Sequence, residues 1–245
     1  NKEPLPAAVA GLKTCGIRGF NLTMPNKNKI VELLDELSPE AQLIGAVNTV
    51  LNDNGKLIGY NTDGYGFMQS VRDAGHDITG KNITVMGVGG ASMAICAQSA
   101  LDGAASVHIF ARRTSRYWNR TQKFAENLSA KTGCQVCLFD NDDHTALRDS
   151  IAQSYLLINA TSVGMVPDID DTIIKDTSLF HPELVVADVV YEPQETRLLR
   201  EAKAAGCQTF NGMYMLLHQG AKAFQIWTGQ EMPVSVIKEK YFSVK

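Results

Sequence analysis

The sequence predicts an α/β protein in which a parallel sheet is covered by helices on both faces. Short apolar segments rich in β-branched residues recur through the second half of the chain, and helical segments lie between them. A glycine-rich turn, GVGGAS, joins the first of these strands to a helix. Parallel strands are buried on both faces, which explains why these segments are almost continuously apolar.

The first part of the chain has a different pattern. Apolar residues at near-helical spacing predict helices over residues 6–15 and 27–37, with a short strand at 20–23 between them. In the second of these helices, the apolar face consists of Ile30, Leu33, Leu34 and Leu37.

A hairpin and a helix follow. Residues 46–51 and 56–60 are predicted strands, and they flank Asn54-Gly55, a dipeptide typical of two-residue hairpin turns. A helix is predicted from about Gly64 to Ala74.

The alternating pattern begins after residue 80. Strands are predicted at 82–86, 106–110, 155–159, 184–190 and 207–210. Helices are predicted at 91–101, 118–131 and 196–205. A last helix, 213–227, is not followed by another strand of this kind, so it interrupts the rhythm.

Composition excludes several classes of protein. The chain has 245 residues, enough for one large domain or two small ones, and a formal charge of −3 with acids and bases interspersed. A nucleic-acid or anionic-membrane binder needs a clustered basic face, so neither partner is expected. No apolar run is long enough to span a bilayer, and the first residues contain no apolar signal core. Five scattered cysteines favour a reducing compartment, and we expect a cytoplasmic protein.

The turn GVGGAS has the features of a dinucleotide-binding turn. Gly87 permits the tight turn, Gly89 allows a phosphate to approach the backbone, and the helix that opens near Gly90 offers free N–H groups. Ser92 stands where the usual fingerprint has a third glycine. The alternative is a purely structural strand-to-helix turn.

The next strand ends in FARRTSR, which bears on the choice of cofactor. An NAD site usually carries an acid at this place, but this segment has Arg112, Arg113 and Arg116 instead. Guanidinium groups there can bind the 2′-phosphate of NADP with paired hydrogen bonds. A solvated basic strand end is the alternative.

Upstream, three segments offer a lysine, an acid, asparagines and threonines: NLTMPNK (21–27), GAVNT (45–49) and GYNTDGYGF (59–67). These groups suit a polyhydroxylated substrate, and with the nucleotide turn they indicate hydride transfer between a nicotinamide and a sugar-like alcohol. Taken alone, Lys27 could be an exposed lysine at a helix start, and Asp63 could be the N-cap of the helix beginning near Gly64.

We expect no metal site. Cys134 and Cys137 form a C-x-x-C, but they lie in a strand-like stretch, and no second pair accompanies them. The five histidines are dispersed, and His218 is interpreted as a packing or rim residue.

The sequence resembles the shikimate dehydrogenase family, and the MPNK and HQGAKAFQIWTG segments are most similar to its quinate/shikimate dehydrogenase branch. The resemblance covers most of the chain, in family order. It is carried by NLTMPNK, GAVNT, GYNTDGYGF, GVGGAS, NATSVGM (159–165), DVVYEP (188–193) and NGMYMLLHQGAKAF (211–224).

The resemblance implies two α/β domains with a cleft between them. A discontinuous substrate domain would comprise residues 1–79 and 212–245, and a Rossmann-like NAD(P)-binding domain with a parallel sheet would comprise 80–211. Family members begin with a further strand, helix and strand that carry a Ser-x-Ser motif for the substrate carboxylate. We expect that this part precedes Asn1 in a longer sequence.

The resemblance also implies roles for individual residues. Lys27 and Asp63 would be the catalytic pair. The substrate would be bound by these two residues together with Thr23, Asn48, Tyr191 and Gln219. The dinucleotide would be bound by Gly87, Val88, Gly89, Gly90, Ala91, Arg112, Arg116 and Ser162, with Val189 and Gly212 beside the nicotinamide.

The implied activity is the interconversion of shikimate and 3-dehydroshikimate with NADP or NAD, and possible substrates include quinate and 3-dehydroquinate. Family members specific for NADP often have Asn-Arg-Thr where this chain has Ala111-Arg112-Arg113, so both cofactors remain open. Three alternatives also remain: an enzyme for shikimate alone, a regulatory relative that binds both ligands without turnover, and a dehydrogenase for another small polyol acid. The protein is expected to be a monomer or a homodimer.

Overall fold

The computed structural model describes residues 4–242. The outermost residues of the expected substrate domain, 1–3 and 243–245, lie outside this description, as does the start of the chain that was searched for a signal segment. No helix within residues 4–242 is long and apolar enough to cross a membrane.

The first sheet is small and mixed. Its strands are β1 (Gly19–Asn21), β2 (Glu36–Leu37), β3 (Thr49–Asp53) and β4 (Lys56–Tyr60), in the order β1-β3-β4-β2. β3 and β4 form the expected antiparallel hairpin, and both Asn54 and Gly55 have the positive φ that a two-residue turn requires.

Three helices accompany this sheet: α1 (Leu5–Thr14), α2 (Asn26–Lys29) and α3 (Pro39–Ile44). A core of buried residues that includes Val9, Ile30, Val47 and Val50 joins them to the strands. α4 (Asp63–Asp73) follows the hairpin and leads to the second sheet.

The predicted helix over residues 27–37 is wrong. The α-helix α2 ends at Lys29, a single 3-10 turn covers Ile30–Leu33, and the chain is extended from Leu34 into β2. Asp35 explains the change, because its backbone N–H donates to the carbonyl of Leu57 and its carboxylate accepts from the N–H of Leu57. Pairing with β4 thus replaces the last helical turns, while the apolar side chains still face the small sheet.

The second sheet has six parallel strands: β5 (Asn82–Met86), β6 (Ser106–Ala111), β7 (Gln135–Asp140), β8 (Leu156–Asn159), β9 (Val185–Asp188) and β10 (Gln208–Phe210). Their order is β10-β9-β8-β5-β6-β7. The chain therefore leaves β5 in one direction to build β6 and β7, then crosses over to build β8 on the other side. This is the order of a dinucleotide-binding sheet, whose ligand crevice opens at the C-terminal ends of β5 and β8.

Helices cover both faces of this sheet: α5 (Gly90–Leu101), α6 (Trp118–Thr132), α7 (His144–Gln153) and α8 (Arg197–Ala204). The five strands and three helices predicted after residue 80 are present, with ends that shift by at most a few residues. Sequence reasoning assigned no helix to α3 or α7, and treated β7 only as strand-like.

The last described elements are α9 (Met213–Thr228), the short α10 (Val234–Ile237) and a π-helical turn, Lys238–Phe242. α9 packs along α4, so the C-terminal part of the chain returns to the element that follows the small sheet. α4 also packs against α5 of the nucleotide half. The start of α4 therefore lies where the two halves of the molecule meet.

Candidate active site

Lys27 and Asp63 form an ion pair, although they are separated by 36 residues in sequence. Lys27 lies in α2, and its Nζ is 2.6 Å from Oδ2 of Asp63, the first residue of α4. Only 17% of the lysine side chain and 10% of the aspartate side chain are exposed. Solvent screening is therefore weaker than for a surface pair, and the pair is held in one arrangement.

Asp63 is not the N-cap of α4, which corrects that alternative. The N-cap position belongs to Thr62, and neither carboxylate oxygen of Asp63 caps the helix. One oxygen accepts from Lys27, and the other accepts from Nδ2 of Asn48 at 2.9 Å. The carboxylate is thus oriented by two donors from the small-sheet half of the molecule.

Asn48 is fixed by a dense set of hydrogen bonds. Its Oδ1 accepts from the backbone N–H of Thr62 at 2.9 Å and from the hydroxyl of Thr49 at 3.0 Å. Its backbone carbonyl accepts from Nδ2 of Asn21 at 3.1 Å. The amide nitrogen is left to face Asp63, so the GAVNT and NTDG segments form one polar unit.

Gln219 reaches this unit from α9. Its Oε1 is 3.4 Å from Nδ2 of Asn48, a long hydrogen bond across 171 residues of sequence. The approach depends on Gly66, because a Cβ atom there would lie 2.7 Å from the backbone nitrogen of Gln219. Gly64 similarly permits contact with α5, where a Cβ would lie 2.3 Å from the carbonyl oxygen of Ala94.

These polar groups line a cleft of about 460 Å³. Its walls include all six residues expected to bind substrate: Thr23, Lys27, Asn48, Asp63, Tyr191 and Gln219. Ala91, Val189 and Gly212, which were expected to contact the cofactor, line the same cleft. The structure thus brings the residues expected to bind substrate and three of those expected to contact the cofactor together around one space of the size of a small-molecule site.

Sequence reasoning missed four residues of this cleft: Asn21, Leu22, Met215 and Leu216. Asn21 and Leu22 belong to the NLTMPNK segment, so the signal was present but was read only at Thr23 and Lys27. Met215 and Leu216 were interpreted as ordinary residues of α9, since an apolar helical residue gives no sign that it faces a cleft.

The glycine-rich turn has the expected form. Gly87 has φ of +109°, and its N–H donates to the carbonyl of Phe110 at 2.8 Å. Ser92, at the position of the third glycine, is fully buried, and its hydroxyl donates to the carbonyl of Gly87. The serine therefore closes the turn from within, and this departure from the fingerprint is compatible with the turn.

A smaller cavity of about 70 Å³ lies on the other side of this turn. Val88, Gly89 and Gly90 line it, together with Tyr117 and Arg120, which sequence reasoning did not select. Of the other residues expected at the turn, Ala91 lines the cleft and Gly87 lines neither cavity. The turn lies between the two cavities, and the N–H groups at the start of α5 are free there. Both features fit a diphosphate group.

The three arginines after β6 have different surroundings. Arg113 stacks over the ring of Trp118 at 4.7 Å, and Arg116 stacks over Tyr117 at 4.8 Å and donates to its hydroxyl at 2.7 Å. Arg112 is exposed and lines neither cavity. Its guanidinium is therefore accessible to an anion in solution, while the other two are already packed on aromatic rings.

Ser162 also lies outside both cavities, on the exposed turn after β8. The same turn contacts the glycine-rich turn, because a Cβ at Gly87 would lie 2.8 Å from the Thr161 methyl group. Ser162 therefore directly follows Thr161, the residue that contacts the glycine-rich turn.

Cys134 and His218, which were also considered from the sequence, both lie in packed surroundings. Burial raises the pKa of Cys134 to about 11, which keeps its thiol protonated, and residues 4–242 contain no group of three potential metal ligands. His218 is buried, and its Nε2 lies 3.0 Å from Asp73, so it is a packing residue that connects α9 to α4. Burial lowers the pKa of this imidazole, against the attraction of Asp73.

Comparison with known proteins identifies the family. Residues 1–50 match the shikimate dehydrogenase substrate binding domain, and residues 212–240 match the shikimate 5′-dehydrogenase C-terminal domain. The chain is 51% identical to a shikimate dehydrogenase (NADP(+)) of Listeria innocua over 98% of its length and 82% of that protein. It is 42% identical to a quinate/shikimate dehydrogenase of Escherichia coli, with 98% and 83% coverage.

A solved structure agrees with these matches. The shikimate 5-dehydrogenase of Listeria monocytogenes, determined in complex with shikimate and NAD, superposes with a TM-score of 0.93 at 50% identity. The match covers 96% of this chain and 81% of that one. Both the sequence and the arrangement of the two sheets therefore show that the chain belongs to the shikimate dehydrogenase family.

Proposed function

We propose that the protein catalyses the reversible, NAD(P)-dependent oxidation of shikimate to 3-dehydroshikimate, and that it also accepts quinate. The carrying observation is that the Lys27–Asp63 pair lines the same cleft as Val189 and Gly212. A hydroxyl group bound to the pair would thus face the wall assigned to the nicotinamide. The relatives that support this substrate class are described by name as shikimate and quinate/shikimate dehydrogenases.

The residues present fit a dinucleotide. The turn from Gly87 to Ala91 offers backbone N–H groups for the diphosphate, and Gly212, packed directly against the backbone of Val189, forms with it the wall of the cleft assigned to the nicotinamide. When bound, the cofactor accepts or returns the hydride at its nicotinamide ring. Proton transfer and substrate binding are carried out by side chains of the protein.

Lys27 and Asp63 handle the proton in this proposal. In the oxidation, the neutral amine of Lys27 accepts a hydrogen bond from the substrate hydroxyl and takes its proton as the carbonyl forms, while Asp63 accepts a hydrogen bond from Lys27 and keeps the amine oriented. In the reduction, the ammonium of Lys27 returns that proton to the new alkoxide oxygen. Asn48 keeps the carboxylate of Asp63 aimed at the cleft, through the 2.9 Å hydrogen bond to Oδ1.

The remaining cleft residues bind and orient the substrate. The hydroxyl of Thr23 and the amide of Gln219 are placed for the other ring hydroxyls, and Tyr191 lies at the exposed edge. Holding both reactants in one orientation can supply a large part of the rate enhancement of such a site.

The domain division is part of this proposal. Residues 1–79 and 212–245 form the substrate domain, and 80–211 form the NAD(P)-binding domain. All strands of the small sheet precede residue 61, and all strands of the parallel sheet lie between 82 and 210, which supports these bounds. Arg112 and Arg116 bind the adenosine side in this arrangement, and Ser162 binds the dinucleotide from the turn after β8.

The cofactor is NADP or NAD. The absence of an acid at the end of β6 and the accessible guanidinium of Arg112 favour NADP. Five free cysteines within the described residues support a cytoplasmic location, and we propose a monomer or a homodimer.

One assay tests the function. The protein is mixed with NADP or NAD and with shikimate or quinate, and the absorbance of the reduced cofactor is followed. Shikimate-dependent reduction is expected. Cofactor binding without turnover on either substrate would support a regulatory binder instead. If neither is turned over, other small polyol acids are added in the same assay, and turnover of one of them would show that the substrate is wrong while the reaction class is right.

A further inference from the structure

Asp188, the last residue of β9, is a fully buried carboxylate at the centre of a hydrogen-bond network. Oδ1 accepts from Nδ2 of Asn159 at 3.0 Å and from the backbone N–H of Val190 at 2.9 Å. Oδ2 accepts from the hydroxyl of Thr196 at 2.8 Å. Its partners thus come from the end of β8, the turn after β9 and the N-cap of α8.

Asn159 extends the network into the turn after β8. Its Nδ2 also donates to the carbonyl of Val163 at 3.1 Å, and its Oδ1 accepts from the backbone N–H and the hydroxyl of Thr161. The amide orientation is set by Asp188, because a carboxylate can only accept. The turn that carries Ser162 is therefore tied to Asp188 through one side chain.

The turn after β9 is tied in the same way. The backbone N–H of Val189 donates to the carbonyl of Asn159 at 2.9 Å, and that of Gly212 donates to the carbonyl of Val190 at 3.3 Å. A Cβ at Gly212 would lie 2.1 Å from the carbonyl oxygen of Val189. A small movement of the β9 turn would consequently move both Val189 and Gly212, which line the cleft.

The carboxylate is costly for the fold. No lysine, arginine or histidine among residues 4–242 forms an ion pair with Asp188, and buried charges without a cation are rare in proteins. Burial raises the pKa of its carboxyl group, against the effect of its three hydrogen bonds. Such a group is expected where geometry matters more than stability.

We propose that Asp188 is a positioning residue of the cofactor site, which holds the turns after β8 and β9 in the arrangement that the nicotinamide half of the dinucleotide requires. This inference rests on the proposed function, since it takes Val189 and Gly212 as the nicotinamide wall. It assigns no contact between Asp188 and either reactant.

The test separates the two halves of the cofactor. Affinities for NADP and for adenosine 2′,5′-bisphosphate, which lacks the nicotinamide, are measured by calorimetry for the wild type and four variants. Asp188→Ala and Thr196→Val should weaken NADP binding, the former by about ten-fold or more because two turns lose acceptors. Both should bind the bisphosphate within about two-fold of wild type, because that ligand uses the β6 side of the sheet.

The other two variants are controls. One removes the charge of Asp188 alone, and the other removes an unrelated carboxylate from the half of the molecule that contains the parallel sheet. Asp188→Asn keeps the shape and can still accept from Asn159 and Val190, so it should retain most of the NADP affinity. Asp176→Asn alters an exposed carboxylate that caps a short turn, and it should change neither affinity.

Several outcomes would overturn the proposal. One is an equal loss of affinity for both ligands in Asp188→Ala and Thr196→Val, as expected for a purely structural role, and another is no loss of affinity for either ligand. An equal loss of NADP affinity in Asp188→Asn and Asp188→Ala would show that the charge of Asp188, and not its positioning of the turns, is what matters. If Asp188→Ala does not fold, the affinities of Thr196→Val and Asp188→Asn for the two ligands provide the test. Failure of the proposed function is distinguishable, because the wild type itself would then show no turnover with shikimate or quinate.

Discussion

Gly66 of α4 faces Gln219 of α9 so closely that a methyl group on the glycine would lie 2.7 Å from the backbone nitrogen of the glutamine. The nearest atoms also include the carbonyl oxygen of Met215, so a rigid helix backbone, not a flexible side chain, occupies the space. The glycine in the DGYG sequence therefore allows Gln219, from the C-terminal part of the chain, to reach Asn48, which in turn donates to Asp63.

Gly66→Ala should displace α9 from α4. We expect a loss of about 1–3 kcal/mol in the free energy of unfolding, as for other overpacked contacts, and a raised Michaelis constant for shikimate. Urea denaturation and steady-state kinetics measure the two effects. Gly220→Ala is the matched control, because a Cβ at that position of α9 meets no atom within 4 Å. Wild-type stability and kinetics in Gly66→Ala would contradict the packing argument.

Asp63→Asn should separate turnover from cofactor binding. The carboxylate lies in the polar unit with Lys27 and Asn48, away from the glycine-rich turn, so NADPH affinity should remain nearly unchanged. The rate should fall strongly, because the amide cannot accept from both neighbours as the carboxylate does. NADPH fluorescence titration compared with initial rates provides the check. A loss of affinity as large as the loss of rate would remove Asp63 from the substrate side.

Arg112→Ala should weaken NADP more than NAD. A charge-assisted hydrogen bond contributes roughly 1.5–3 kcal/mol, so the ratio of the two dissociation constants should change by about ten-fold or more. Arg113→Ala is the control, since that guanidinium is already stacked on Trp118, and it should leave the ratio almost unchanged. An equal loss of affinity for both cofactors in Arg112→Ala would show that Arg112 contacts the adenine or stabilises the fold instead of binding the 2′-phosphate.

The buried Asp188 predicts a pH dependence of stability. Its pKa in the folded protein is raised above the ordinary value of 3.8, so the folded state binds this proton more tightly than the unfolded state. The corresponding contribution is fully present below pH 3.8 and is lost as the pH rises through the raised pKa. Asp188→Asn cannot ionise, so its melting temperature relative to wild type should increase from pH 4 to pH 7. A constant difference over that range would show that the pKa is not raised.

The nucleotide half follows closely from the sequence because its signals are local. β5, β6, β8 and β9 are largely apolar runs between turn residues, and GVGGAS identifies the strand at the switch point. The more polar β7 was treated only as strand-like. The resemblance implied the pairing of Lys27 with Asp63, but the hydrogen bond from Asn48 to Asp63 was not foreseen. Nor was the contact between Asn48 and Gln219, since it spans 171 residues and depends on the space left by Gly66.

The small-sheet half shows where a periodic pattern misleads. The apolar residues from Ile30 to Leu37 fit one helical face, yet the chain leaves the helix because Asp35 pairs with Leu57. Apolar residues at this spacing can also serve a 3-10 turn followed by a strand, and tertiary pairing decides between the two. Met215 and Leu216 were missed for a related reason, since exposure to a cleft has no periodic signature.

The central claim is that Lys27 transfers the proton, and the turnover of Lys27→Ala tests it most directly. Lost general acid–base catalysis should lower kcat by about a hundred- to ten-thousand-fold. The Michaelis constant for shikimate should change little, because a proton shuttle acts mainly in the transition state. An unchanged melting temperature would establish that the fold is intact. A variant with near-normal kcat and a raised Michaelis constant would contradict the account, because Lys27 would then only bind the substrate.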